Sequence, residues 1–101
     1  MENEEVFEIE EVDIEELAKR GERVPRARRY IIRVDKQRVV SSQGNVTGAE
    51  ILALVNKTPE THKLYQHKRG HQPILIGPAE KVDLTRDGVE RFTTMPKDTT
   101  E

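Results

Sequence analysis

The residues that could carry chemistry in this sequence are few and poorly grouped. Three histidines, His62, His67 and His71, straddle a predicted strand and the turn after it, and no cysteine is present to complete a zinc site. Ser41 and Ser42 have no histidine nearby that could activate them as nucleophiles. Residues 44–48, GNVTG, lack the lysine and the serine or threonine of a phosphate-binding loop. These patterns predict no metal site, no cofactor and no enzymatic activity.

Size and composition narrow the class of protein. The chain has 101 residues, of which 34% are hydrophobic and 36% charged. This is enough for one domain, with part of the chain expected outside its core. No apolar run approaches the roughly eighteen residues of a membrane span. The acidic start, MENEEVFEIEEV, resembles neither a secretory signal nor a transit peptide, so a cytoplasmic protein is expected.

Charge is unevenly distributed along the chain. Residues 1–22 carry ten acids and two bases, whereas residues 23–38 carry seven bases and one acid. The charge of the basic segment suggests a nucleic-acid partner. However, Tyr30 is the one aromatic residue of this segment, and no arginine-rich recognition helix follows. These features argue against a nucleic-acid partner. Pairing between the acidic arm and the basic segment explains the pattern better.

The centre of the sequence predicts a hairpin followed by a helix. Residues 29–34, RYIIRV, alternate as a strand with one face in the core and one in solvent, DKQ makes a polar turn, and RVVSS returns. Thr47 and Glu50 form a capping box for a helix from about Thr47 to Val55, and Asn56 is a left-handed stop.

Weaker patterns surround this unit. Residues 62–68, 73–77 and 89–93 predict three more strands, and residues 79–88 predict a loop that covers the core with Val82 and Leu84. Asp13 can cap a short helix that ends at Gly21. The expected core is Ile32, Val34, Ile51, Leu54, Val55, Leu64, Ile76 and Phe92.

This order of elements is that of the β-grasp fold, an α+β fold in which a mixed sheet of four to five strands packs on one helix. Residues 29–96 resemble the bacterial multiubiquitin family of ubiquitin-like proteins. The resemblance is carried by YIIRVD, VTGAEILALVNKTP, KLYQHKRG and VDLTRDGVERFTTMP. We therefore divide the chain into an acidic arm with a basic linker (residues 1–28), a ubiquitin-like domain (29–95) and a flexible tail (96–101).

The resemblance implies a bacterial ubiquitin-like modifier, or protein tag. Its implied partners are a ubiquitin-activating-like enzyme, a ubiquitin-conjugating-like enzyme and a metal-dependent deconjugating peptidase. The conjugation tail would be Pro96, Lys97, Asp98, Thr99, Thr100 and Glu101. A tag should extend past Glu101 to a glycine or be cut back to one. The alternative is a non-conjugated interaction module that self-assembles through its arm and needs no such end.

Two surfaces are candidates for contact with other proteins. Tyr65, flanked by Lys63 and His67, faces away from Leu64, and in ubiquitin the comparable strand carries the patch that partners bind. The acidic arm contains apolar residues that a solubilising segment does not need: Val6, Phe7, Ile9, Val12, Ile14 and Leu17. They could dock on the chain's own basic strand or on a second copy, and the sequence favours the second copy, giving a homo-oligomer.

Overall fold

A computed structural model describes residues 9–86 and 88–97 of the chain. In that part the elements are β1 (Ile9–Asp13), α1 (Ile14–Arg20), β2 (Ala27–Val34), β3 (Gln37–Ser41), β4 (Asn45–Thr47), α2 (Gly48–Leu54), β5 (His62–Lys68), β6 (Ile74–Ile76), β7 (Lys81–Asp83) and β8 (Val89–Pro96). Neither helix in the described residues has the length and apolar character that crossing a membrane requires.

The predicted hairpin is confirmed as β2 and β3. Asp35 and Lys36 alone connect the strands, with φ values of 52° and 71°. Two consecutive positive φ angles define the tight turn whose twist matches that of the flanking strands. The turn is thus one residue shorter than the predicted DKQ, because Gln37 already pairs with Val34.

The capping box of α2 is confirmed as well. The Glu50 amide donates to Thr47 Oγ1 at 3.2 Å, and the Thr47 amide donates to Glu50 Oε1 at 2.8 Å. Asn56 ends the helix with a φ of 61°, as predicted. Gly48 has no substitute here, because a Cβ atom would lie 2.4 Å from the carbonyl oxygen of Gly77.

The sheet contains the predicted β-grasp strands and one more. Its path is β1-β2-β8-β5-β6, with β3 also paired to β2. β4 and β7 form a separate two-stranded ribbon, so residues 81–83 are a strand in a segment that was expected to be mostly loop. Residues 81–83 form a strand because they pair with β4, where Asp83 lies opposite Asn45. The local sequence does not indicate this pairing.

β1 and β8 share one edge of β2. β1 runs parallel to the first half of β2, with Ile9 opposite Ala27. β8 is also parallel to β2 but meets it at one Cα pair, Val34 with Phe92. β3 occupies one edge of β2 along residues 30–34. β1 and β8 pair with residues of the same stretch, so both must lie on the opposite edge of β2.

The core lies between the inner face of this sheet and α2. Most of the predicted core is buried, but Leu54 and Val55 pack only partly against it. Val82 and Leu84 are buried as expected. The buried core also includes residues that were not predicted for it: Val12, Ile14, Ala27, Tyr30, Val46, Leu52 and Val89.

Candidate partner-binding surface

The outer face of β5 carries the three residues predicted as a partner-binding surface. Leu64 points into the core and is 1% exposed. Because side chains alternate along a strand, Lys63, Tyr65 and His67 lie on the opposite face. The structure therefore brings these three residues together on one side of the sheet.

Neighbouring strands extend this face with apolar side chains. Leu75 on β6 and Thr93 on β8 pair with Tyr65, and Met95 pairs with Lys63. Paired residues point to the same side of a sheet. Leu75 is 54% exposed and Met95 is 53% exposed. Tyr65, Leu75 and Met95 thus form an apolar strip on the outer face.

Polar and cationic groups surround the strip. Lys63 is exposed at one end, and Arg91 pairs with His67 at the other. His67 Nε2 lies 2.9 Å from Thr93 Oγ1. Burial first, and then the charge of Arg91, lowers the pKa of His67, while Glu90 acts in the opposite direction. His67 is therefore a neutral hydrogen-bonding group at pH 7, and Lys63 and Arg91 supply the positive charge.

β1 and α1, from the arm, cover the part of the outer face that β2 forms. Ile31, predicted to face solvent, is buried, and next to it both Nη atoms of Arg33 donate to the carboxylate of Asp13. Arg33 Nε also lies 3.3 Å from Oε1 of the buried Glu15, an oxygen with no well-aligned hydrogen bond among the described residues. The guanidinium charge is what compensates this oxygen. The prediction of a solvated face on β2 was wrong, because α1 and β1 carry carboxylates that pair with it.

A second contact holds the far end of α1. Arg69, in the turn after β5, donates from Nη1 to the carbonyl oxygen of Ala18 at 3.1 Å. Gly21, with a φ of 71°, ends the helix, and Asp13 caps its start by accepting from the Glu16 amide. The predicted short helix is confirmed. Residues 9–11 lie in β1 because β2 offers them an unpaired edge.

Four of the six arm residues predicted for self-association lie on the chain's own domain. Val12 is 8% exposed and Ile14 is fully buried, while Ile9 and Leu17 pack partly against the core. In this structure these four side chains pack within one chain, and their docking on a second copy stays a prediction. Val6 and Phe7 lie outside the described residues.

β8 and its hydrogen bonds extend further than predicted. Pro96 pairs with His62 at the end of β8, and the Lys97 amide donates to the carbonyl oxygen of Thr61 at 2.9 Å. The prediction that Pro96 and Lys97 have no partner was wrong, because the strand continues through Thr94 and Met95. Four of the predicted tail residues lie outside the described residues: Asp98, Thr99, Thr100 and Glu101.

The remaining reactive residue types serve local structure. Ser41 is buried and its Oγ donates to the carbonyl oxygen of Gln43 at 2.7 Å, so it closes a turn. His62 contacts Thr61 at 2.8 Å. Within residues 9–86 and 88–97, no three histidine, aspartate or glutamate side chains are grouped in a way that could hold a metal ion.

A β-grasp sheet on one helix, with an open apolar strip on its outer face, defines a ubiquitin-like domain. The sequence model of the multiubiquitin family matches residues 30–97. The chain therefore belongs to the multiubiquitin family, as the sequence motifs indicated. Neither the curated proteins nor the solved structures include a significant match.

Sequence reasoning identified the centre of this surface and missed its neighbours. Leu75 and Met95 were not singled out, although both alternate correctly with buried residues of their strands. The β-branched pair Thr93 and Thr94 favours strand structure and could have extended β8 to Met95. The pairing of Arg33 with Asp13 had one sequence signal, the opposite charge of the two segments that contain them.

Proposed function

We propose that this protein is a ubiquitin-like modifier, attached to other proteins by partner enzymes and then recognised through the outer face of its sheet. The observation that carries the proposal is the multiubiquitin match over residues 30–97. The open strip on the outer face supports the recognition step.

Conjugation would use the segment after Lys97. An activating-like enzyme would adenylate a C-terminal carboxylate with ATP and release pyrophosphate, and a cysteine thiolate of the enzyme would then displace AMP to form a thioester. Transfer to a conjugating-like enzyme and attack by an amine would form the final amide bond. A metal-dependent peptidase would reverse it by hydrolysis. The C-terminal carboxylate itself attacks the α-phosphate of ATP, and the nucleophiles of all later steps belong to the enzymes, the target protein or water. We place the pathway in the cytoplasm, where ATP is available.

β8 sets a limit on what such enzymes can thread. The Lys97 amide is bound to Thr61, so the freely extended segment would begin at Asp98. A non-conjugated interaction module is the second candidate. It is supported by the same observation, because β8 stays paired with β5 through Pro96.

Intact mass spectrometry of the native protein distinguishes the two candidates. The protein is incubated with its cognate activating-like enzyme, with and without Mg-ATP. We expect an ATP-dependent adduct on the enzyme that a thiol reductant removes, and a native C-terminus at a glycine. A native C-terminus without glycine, together with no adduct, would refute the modifier and leave the interaction module.

The recognition surface is tested separately with Tyr65→Ala. Tyr65 pairs with Leu75 at the centre of the strip, and its loss should weaken binding of a protein partner about tenfold or more. Val40→Ala is the control, because Val40 is 43% exposed but lies on β3. Equal binding by both variants would exclude the outer face as the recognition surface.

A further inference from the structure

An apolar groove opens where β5 begins and β6 ends. It encloses about 210 Å³ and its walls include Leu52, Leu64, Leu75 and Ile76. β6 pairs with β5 on one side only among the described residues. An apolar cavity of about 150 Å³ is large enough for a benzene ring. The groove can therefore accept one aromatic side chain from outside the domain.

The rim of the groove is basic. Lys63 and Lys97, both exposed, line it together with His62. Among the residues that the structure describes, no carboxylate lines it. The chemistry that fits is an aromatic side chain flanked by acidic residues, since the ring would fill the groove and the carboxylates would meet the lysines.

The first eight residues of this chain, MENEEVFE, have that chemistry. Phe7 follows Val6, and four glutamates surround the pair: Glu2, Glu4, Glu5 and Glu8. The part of the arm that follows, residues 9–20, is docked on its own sheet, and Phe7 precedes the first residue of β1 by two positions in the sequence.

Phe7 cannot reach the groove of its own chain. Ile9 lies opposite Ala27, whereas the groove lies beside Met95, beyond the point where Val34 meets Phe92. Measured along the strands, about ten residues separate Ile9 from the groove, which is roughly 33 Å at the rise of a β-strand. Phe7 is two residues from Ile9 and spans at most about 7 Å. Phe7 can therefore reach this groove only on a second copy.

We propose that residues 1–8 of one chain bind the groove between β5 and β6 of a second copy, with Phe7 in the groove and the glutamates against Lys63 and Lys97. Arm and groove lie at opposite ends of the molecule. The contact is therefore head-to-tail, and each added copy leaves one free arm and one free groove. Such contacts form rings if they close and filaments if they do not. This association requires no conjugation enzyme.

Two variants separate the halves of the contact. Phe7→Ala removes the anchor and leaves the groove intact, whereas Leu75→Glu places a charge in the groove and leaves the arm intact. Sedimentation velocity of the full chain over a concentration series should show self-association in the natural sequence, weakened by about tenfold or more in each variant. Added salt should also weaken it.

Mixing the two variants gives the sharpest result. Phe7→Ala supplies a groove and Leu75→Glu supplies an arm, so an equimolar mixture should form a one-to-one dimer and nothing larger. Ile74→Glu is the matched control, because Ile74 is 44% exposed on the same strand and does not line the groove. It should assemble like the natural sequence, and circular dichroism verifies that all variants fold.

Three results would overturn the proposal. The natural sequence could stay monomeric at hundreds of micromolar, the Phe7→Ala and Leu75→Glu variants could assemble normally, or their mixture could fail to dimerise. The ATP-dependent adduct of the modifier test is measured independently, so failure of one proposal does not decide the other.

Discussion

Two strands lie end to end along the same edge of β2, and they are held in different ways. β8 is anchored by Phe92, a fully buried ring in the core. β1 and the helix after it also bury an apolar side chain, Ile14, but they add a charged layer in which Arg33 binds Asp13 and approaches Glu15. The family match covers β8 and starts after α1. The multiubiquitin domain thus shares one sheet edge with an added element of its own chain.

The difference shows what an acidic arm can do besides keeping a protein soluble. Arg29 approaches Glu11 at 3.5 Å on the exposed rim of β1, a contact worth little by itself. The pairing of Asp13 with Arg33 is more protected, because their side chains are only 19% and 22% exposed. Charge positions the arm, and the burial of Val12, Ile14 and Ala18 adds apolar stabilisation.

Replacing Phe92 should have the largest effect. Phe92→Ala leaves a cavity where β8 meets β2 and should lower the free energy of unfolding by about 3–5 kcal/mol, measured by urea denaturation. Met95→Ala, on the same strand but 53% exposed, should change it by less than about 0.5 kcal/mol. Equal effects would mean that β8 is not packed on the core.

Replacing Ile14 tests whether the arm is part of the same core. Ile14→Ala should cost about 2–5 kcal/mol in the same measurement, since the side chain is fully buried. Ile74→Ala is the control, because Ile74 is 44% exposed. An arm that only rests on the surface would show no loss beyond that of the control.

Replacing Arg33 separates charge from burial. Arg33→Gln removes the partner of Asp13 and takes the cation away from Oε1 of the buried Glu15, while Lys19 still lies 3.4 Å from Oε2, so we expect a loss of about 1–3 kcal/mol. Arg23→Gln is the control, because Arg23 is exposed in the linker before β2. If both variants unfold at the same urea concentration, the charged layer contributes nothing.

The smallest effect concerns the turn that ties the hairpin to β8. Burial of Asp35 alone would raise its pKa, but hydrogen bonds from Thr94 and Lys57 more than offset this, and its pKa is lowered. A carboxylate with a lowered pKa stabilises the fold above its unfolded pKa, and this contribution disappears as the pH falls through the folded value.

Asp35→Asn tests that dependence. Asparagine tolerates the positive φ of this position, so the variant isolates the charge. The difference in unfolding free energy between the natural chain and the variant should be largest at neutral pH and shrink below about pH 4. Glu60→Gln, in an exposed loop, is the control, and a constant difference across this range would contradict the role of Asp35.

The sequence predicted the elements that local chemistry defines. Thr47, Glu50 and Asn56 mark the ends of α2 by capping chemistry, and the alternation around Leu64 gave the face of β5 correctly. The misses share a cause, because β1, β7 and the end of β8 are ordered by partners distant in sequence. The composition of the acidic arm does not indicate that it pairs with the edge of β2.

Hydrogen exchange of the full chain tests most directly whether residues 9–20 belong to the folded sheet. Peptides that cover β1 and α1 should exchange nearly as slowly as those that cover β2, because both strands share one ladder. The measurement is made at a concentration where sedimentation shows monomers, so that protection reports contacts within one chain. Exchange of residues 9–20 at the rate of an unfolded peptide, with β2 still protected, would contradict the arm's place in the sheet.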